Sequence, residues 1–208
     1  MNSISGKKIY SIGHSSHSES DFIELLNMHE VNAIVDVRSA PYSNYYPHFS
    51  RENLKLLLRQ KNISYVFLGK ELGGRPSKSN EYEYGIANYE MMAKSSAYEA
   101  GLTRVFKGRE RFNVALMCSE HDPLDCHRCL LVSRTIKQKN CEVQHILRDG
   151  TLQTQTEIEM NLLKLYKEET FDLFASPEEG LSIAYKKRAM RVAYNETDNS
   201  NVKRETAL

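Results

Sequence analysis

The sequence predicts an α/β fold, a Rossmann-like three-layer sandwich with a mostly parallel central sheet of about five strands. Three observations predict it. Short apolar runs alternate along the chain with amphipathic stretches of helical period. The run Ala33–Val37 is apolar without interruption up to Asp36, as in a strand covered on both faces. The unusual polar residues fall just behind the apolar runs and not inside them.

Ile9–Gly13 reads as the first strand, and Ser20-Asp21 opens a helix that carries Phe22, Leu25 and Leu26 at helical spacing. Ala33–Val37 is the second strand, and Ser50 offers an N-cap to a helix carrying Leu54, Leu57 and Leu58. Ser64–Leu68 is the third strand, Tyr84–Lys107 an amphipathic helix and Phe112–Cys118 the fourth strand. Asp122 is a favoured cap and Pro123 suits a first helical position, which predicts a helix from Pro123 to Lys139. Glu142–Leu147 is the fifth strand, and right-handed crossovers then require a parallel sheet with helices on both faces. Thr156 with Glu159 has the pattern of a capping box for a helix through Leu162, Leu163 and Tyr166. Asn195–Leu208 is polar and aperiodic and reads as disordered. The predicted organisation is one domain over residues 1–185 and a flexible tail over 186–208.

The chain has 208 residues, 40% hydrophobic and 26% charged, enough for a sizeable buried core. Its 28 basic and 27 acidic residues leave a formal charge of +1, so no global field draws it to nucleic acid, and any such binding needs a local patch. The first residues lack the apolar core of a signal peptide, and no run approaches the ~18 apolar residues of a membrane span, so the chain reads as cytoplasmic without a membrane partner. Three of the four cysteines lie between Cys118 and Cys129, a poor disulfide framework, and are expected to be free thiols.

His14-Ser15 follow the first strand, Asp36 and Arg38 end the second, Gly73-Gly74-Arg75 come after the third, and Cys118 with Glu120 end the fourth. These are all carboxyl-end positions. In an open parallel sheet such ends share one edge, where ligands bind, so segments distant in sequence converge there. The same residues carry a family resemblance. Gly13-His14-Ser15, Asp36-Val37-Arg38 with Pro41, Ser43, Pro47 and Phe49, Leu72-Gly73-Gly74, and Cys118-x-Glu120 with Cys126-His127-Arg128 resemble the family called domain of unknown function 488, over Ile9 to Leu147. That resemblance implies no chemistry, so function is argued from the residues.

Glu120, Cys118, His14 and Asp36 are the catalytic candidates, Glu120 and Asp36 as a carboxyl pair able to divide acid and base roles. Asp36 serves equally well as structural glue to Arg38 or Arg128. Ser15, Arg38, Gly73, Gly74, Arg75, Cys126, His127 and Arg128 are the substrate-binding candidates, the arginines and the predicted helix end at Asp122 suiting an anion. The cysteines admit nucleophilic, metal-binding and structural readings. Leu124 stands where a thiol-phosphatase cradle would carry its arginine, and the gap from Cys118 to Cys126 exceeds the spacing of about two to four residues in a zinc knuckle, so no metal and no cofactor is expected. Cys129 and Cys141 read as buried hydrophobes. The loop of Tyr42, Tyr45, Tyr46, His48 and Phe49 reads as packing on its own domain or as a base-stacking surface, and Lys186-Lys187-Arg188 as a solvated helix end.

Two classes of function fit. One is an enzyme acting on a nucleotide, nucleic-acid or other phosphorylated substrate by hydrolysis or N-glycosidic cleavage, with Glu120 as acid or base. The other is a non-catalytic nucleotide- or metal-binding module, with a thiol redox protein as a third reading. A carboxylate, thiol, imidazole and guanidinium together exceed what recognition needs, which favours the enzyme.

Overall fold

A computed structural model describes residues 8–167 and 176–197. Strands β1 (Ile9–Gly13), β2 (Ala33–Asp36), β3 (Ser64–Phe67), β6 (Val114–Cys118) and β7 (Val143–Ile146) lie within two residues of the expected runs. They form one sheet in the order β3-β2-β6-β1-β7-β8, parallel except for its last pair. That sixth strand, β8 (Leu152–Thr154), pairs antiparallel with β7 and was not foreseen, because three half-exposed residues carry no apolar signal.

Side-chain alternation builds the layers. Tyr10, Ile12, Ile34, Ala115 and Met117 face α1 (Glu19–Met28) and α2 (Arg51–Gln60), whose Phe22, Leu26, Leu54 and Leu58 are fully buried. Ile9, Val35, Val114, Leu116 and Cys118 face the opposite layer, made by α3 (Gly69–Leu72), α5 (Ser96–Arg111), a π-helix (Arg128–Ser133), α6 (Arg134–Gln138), α7 (Gln155–Leu165) and α8 (Pro177–Val192). Each fully buried Leu or Phe contributes about 1.5–3 kcal/mol, so the two faces hold the sheet from both sides. The chain leaves β1 toward the α1 face and leaves β6 toward the opposite face. The neighbouring ends of β1 and β6 are therefore a divergence point where a crevice opens.

Several local expectations are corrected. Ser18, not Ser20, caps α1 by accepting from the Asp21 N–H at 3.1 Å. Ser50 precedes α2 without a side-chain cap, its hydroxyl being turned toward the backbone of Ser43. The segment Tyr84–Lys107 is not one helix. Tyr84 and Gly85 both have positive φ and turn a hairpin of β4 (Tyr82–Glu83) and β5 (Ile86–Ala87), after which Asn88 and Ser95 cap α4 (Tyr89–Met92) and α5. The capping box belongs to Thr154 and Glu157, two positions before the expected pair. Asp122 caps only a 3-10 turn, Pro123–Asp125, through the Leu124 N–H at 2.7 Å, and the helical run that follows starts at His127 with a π-helical stretch. The α8 helix runs through residue 186, where the tail was expected to begin, and Arg188 is no solvated helix end: it donates to the Leu124 carbonyl at 3.0 Å and pairs with Asp125. Asn195 bridges Ile86, while residues 198–208 of the expected disordered segment lie outside the described residues.

A buried polar chain crosses the second layer. The Ser11 hydroxyl and His145 Nδ1 lie 2.6 Å apart, His145 Nε2 and Gln155 Oε1 2.7 Å, the Gln155 amide donates to the Tyr185 hydroxyl at 2.7 Å, and Tyr185 donates to Glu159 at 2.9 Å. Lys137 completes it with an ion pair to Glu159. Every member is satisfied when His145 is neutral, donating through Nε2 and accepting at Nδ1. Burial, and after it the charge of Arg128, hold His145 down at about 4.

Folded His145 thus stays neutral while an unfolded chain takes up its proton near ~6.5, so stability is present above that pH and is lost as pH falls toward 4. This residue alone contributes up to about 3 kcal/mol of that loss. Urea midpoints of the wild type are expected to fall more steeply with acidification than those of a His145→Gln variant; parallel curves would contradict the assignment.

Candidate functional site

At the carboxyl end of β6 the chain turns through Ser119-Glu120-His121-Asp122 and returns to the sheet at Cys126. Arg128 holds this turn. Its side chain is fully buried, and it donates from NH1 to the Glu120 carbonyl at 2.7 Å and from NH2 to the His121 carbonyl at 3.0 Å. Gly13 makes the approach possible: a Cβ there would stand 1.9 Å from the Glu120 carbonyl oxygen. The backbone joins the same place, with the His14 N–H on the Cys118 carbonyl at 2.8 Å and the Ser15 N–H on the Ser119 carbonyl at 2.9 Å.

The returned loop gathers four groups. Cys118 Sγ and Cys126 Sγ both lie within hydrogen-bonding distance of Oε2 of Glu120, at 3.0 and 2.9 Å. His127 donates from Nε2 to the Val37 carbonyl at 2.9 Å, and its Nδ1 faces Cys118 Sγ at 3.8 Å and Cys126 Sγ at 4.0 Å. Burial disfavours its charged form, but the hydrogen bond and charge of Cys126 outweigh burial and raise the imidazole above its ordinary value. Gly74 lies against this imidazole, since a Cβ there would be 2.8 Å from ring atoms of His127. Local desolvation of the carboxyl, and next the charge of Cys126, push Glu120 above the ordinary carboxylate range even though the residue as a whole is exposed. Burial and the Cys126 contact likewise raise the Cys118 thiol. Burial also acts to raise Cys126, but its hydrogen bond with Cys118 and the Arg128 guanidinium outweigh it and hold that thiol well below its ordinary value. Among the described residues, Cys118, Cys126 and His127 are the group whose donor atoms all lie within 4.8 Å of one another and could hold a metal ion.

Cys118, Glu120 and His127 face a cavity of about 220 Å³ whose other walls include Arg38, Ser39, Gly74, Arg75, Tyr89, Ser119 and Tyr194. The Arg75 guanidinium lies over the Tyr194 ring at 4.7 Å, and the Arg75 backbone N–H donates to Ser39 Oγ at 3.0 Å.

The structure divides the expected site residues. Glu120, Cys118, Arg38, Gly74, Arg75 and His127 line this cavity, and Cys126 lies buried beneath it. Ser15 and Gly73 are not on its wall, and Gly73 is needed for packing, because a Cβ would meet the Gly69 carbonyl at 2.3 Å. Arg128 is spent on the loop, and the anion site expected at a helix end fails, because Asp122 uses the donor of its own turn. Asp36 does not pair with Glu120. It is fully buried, grips Arg38 with both oxygens at 2.9 and 2.7 Å, and accepts from the Tyr65 hydroxyl at 2.7 Å. His14 buttresses the same pair: it stacks on Phe49 at 4.3 Å and meets Arg38 NH1 at 3.2 Å through Nε2. Burial and the Arg38 charge hold His14 down at about 4, so it stays a neutral acceptor there. The loop aromatics Tyr42 and Tyr45 are exposed and do not line the cavity, whose aromatic walls are Tyr89 and Tyr194. Sequence reasoning passed over both. Asn88, a cap residue directly before Tyr89, was the available signal for the first, while Tyr194 lies within the segment read as tail and carried none.

The Asp36–Arg38 pair is buried and saturated, so removing one partner strands the other charge at a cost of about 3–5 kcal/mol. Arg38→Met is expected to lose that much stability by urea denaturation; a loss under about 1 kcal/mol, the range of exposed pairs, would contradict the burial.

No curated protein and no solved structure matches the chain. The model of one family, the domain of unknown function DUF488, matches residues 19–135, more than half of the sequence and all of the cavity wall from Arg38 to His127. The chain, with its thiol–carboxylate turn at the end of β6, belongs to the DUF488 family.

Proposed function

We propose that the protein is an enzyme that acts on a nucleotide-like or otherwise phosphorylated small molecule, by hydrolysis or N-glycosidic cleavage, with Glu120 as the proton-transfer group. One observation carries the reading: the Glu120 side chain, exposed to solvent but with one carboxyl oxygen against two thiols, stands on the wall of an open polar cavity that also presents Arg38 and Arg75. A proton-transfer group and a fixed positive wall are parts such chemistry uses. Arg38 is immobilised by Asp36 and the Phe49 carbonyl and serves as fixed charge. Arg75 is exposed and suits direct contact with a phosphate. Tyr89 and Tyr194 line the same cavity and give it an aromatic edge. The small volume of the cavity favours a single nucleotide or sugar phosphate over a duplex, and a formal charge of +1 supplies no broad nucleic-acid-binding field.

Glu120→Gln keeps size and hydrogen-bonding capacity but cannot exchange the proton. Its turnover on a panel of nucleotides and sugar phosphates is expected to fall by ~10²–10⁴-fold with folding and ligand affinity nearly unchanged. Retained turnover, or lost affinity instead, would remove Glu120 from this role. Arg75→Ala is expected to raise KM by roughly 10–100-fold with little change in kcat, the effect of one charge-assisted contact to an anion; an unchanged KM would place the anion elsewhere.

A further inference from the structure

The floor of the cavity holds more than an acid needs. The fold closes the sequence gap that had argued against a metal, because the turn after β6 brings Cys126 and His127 back beside Cys118. We infer that Cys118 Sγ, Cys126 Sγ and His127 Nδ1 form a binding site for a thiophilic divalent cation of the zinc class, with its remaining coordination position toward the cavity.

Four observations carry this. First, the spacing is that of ligands. A tetrahedral ion at ~2.3 Å from sulfur and ~2.0–2.1 Å from nitrogen sets sulfur and nitrogen about 3.6 Å apart. Here Nδ1 lies 3.8 and 4.0 Å from the two sulfurs, so small movements seat the ion. Second, the imidazole is already oriented as a ligand. Its Nε2 is committed to the Val37 carbonyl, the outer hydrogen bond that orients metal-bound histidines, and its Nδ1 faces the two sulfurs. Third, the charge balances. Two thiolates neutralise a divalent ion bound with neutral His127, and the fully buried Arg128, whose backbone N–H points at Cys126 Sγ from 3.4 Å, offsets the Glu120 carboxylate. Fourth, both sulfurs are buried, but Cys118 and His127 also face the cavity, so the ion would be reachable from the substrate space in the manner of three-ligand catalytic sites.

Binding releases to solvent the protons still held by the site's thiols and imidazole and changes no oxidation state. Glu120 is not among the groups whose donor atoms lie within mutual ligand reach, so it stays beside the ion and outside the ligand set. The site rests on ligand geometry alone and stands whether or not the substrate class above is right.

The full chain, reduced, stripped with a chelator and titrated with Zn²⁺ and separately with Co²⁺, tests it. The expected result is about one equivalent bound per chain with proton release, and a cobalt spectrum with sulfur-to-metal charge transfer. Cys118→Ser and Cys126→Ser should each lose most of that charge-transfer intensity, while Cys129→Ser, a buried thiol outside the cluster, and Glu120→Gln keep wild-type stoichiometry. Should a cluster variant fail to fold, the wild-type titration decides by itself. Binding below about a tenth of an equivalent, a cobalt spectrum without sulfur ligation, or a Cys118–Cys126 disulfide with no metal affinity after reduction overturns the site. Stoichiometric metal with no turnover of any phosphorylated compound leaves it standing and removes only the proposed substrate.

Discussion

One buried guanidinium organises this end of the molecule. Arg128 reaches from the start of the π-helix to the Glu120 and His121 carbonyls and pins the turn that follows β6. Without a partner its charge would cost several kcal/mol in the interior, so the turn cannot relax away cheaply. Gly13 supplies the room, since any side chain there would collide with the same carbonyl. From this single arrangement follow the convergence of Cys118 with Cys126 on one carboxyl oxygen, the approach of His127 and the shape of the cavity floor.

The polar residues at the sheet edge fall into two groups with different physical roles. Asp36, Arg38, His14 and Tyr65 satisfy one another almost completely, and a saturated buried network has little left for a ligand except the fixed charge of Arg38 on the wall. Glu120, Cys118, Cys126 and His127 are arranged otherwise. Two sulfurs converge on one oxygen, and the imidazole Nδ1 meets the same two sulfurs only at the long distances of 3.8 and 4.0 Å. The first group stabilises the frame, and the second retains bonding capacity for chemistry.

The layered fold and the position of the site were legible in the sequence because both follow from period and from strand ends. Ala33–Val37 reads as a doubly covered strand and is one, and Cys118-x-Glu120 falls at a carboxyl end that lies between β1 and β2. What stayed hidden depends on contacts distant in sequence. Nothing local distinguishes Asp36, consumed by Arg38 and Tyr65, from Glu120, which faces a cavity. Arg128 looks like an anion ligand in sequence and is a buried loop anchor in space. The spacing from Cys118 to Cys126 argued against shared ligation only until the 3-10 turn at Pro123–Asp125 folded the loop back. Tyr194 reaches the cavity because α8 docks through Arg188 on Asp125, a contact that composition cannot foretell.

A crystal structure of the full reduced chain, grown with Zn²⁺ and a nucleoside monophosphate and phased at the zinc edge, tests the central claim most directly. The account predicts an anomalous peak among Cys118 Sγ, Cys126 Sγ and His127 Nδ1, with Glu120 beside it and the phosphate against Arg75. Thiols turned apart, Glu120 directed into bulk solvent and an unfilled floor beneath a bound ligand would contradict it.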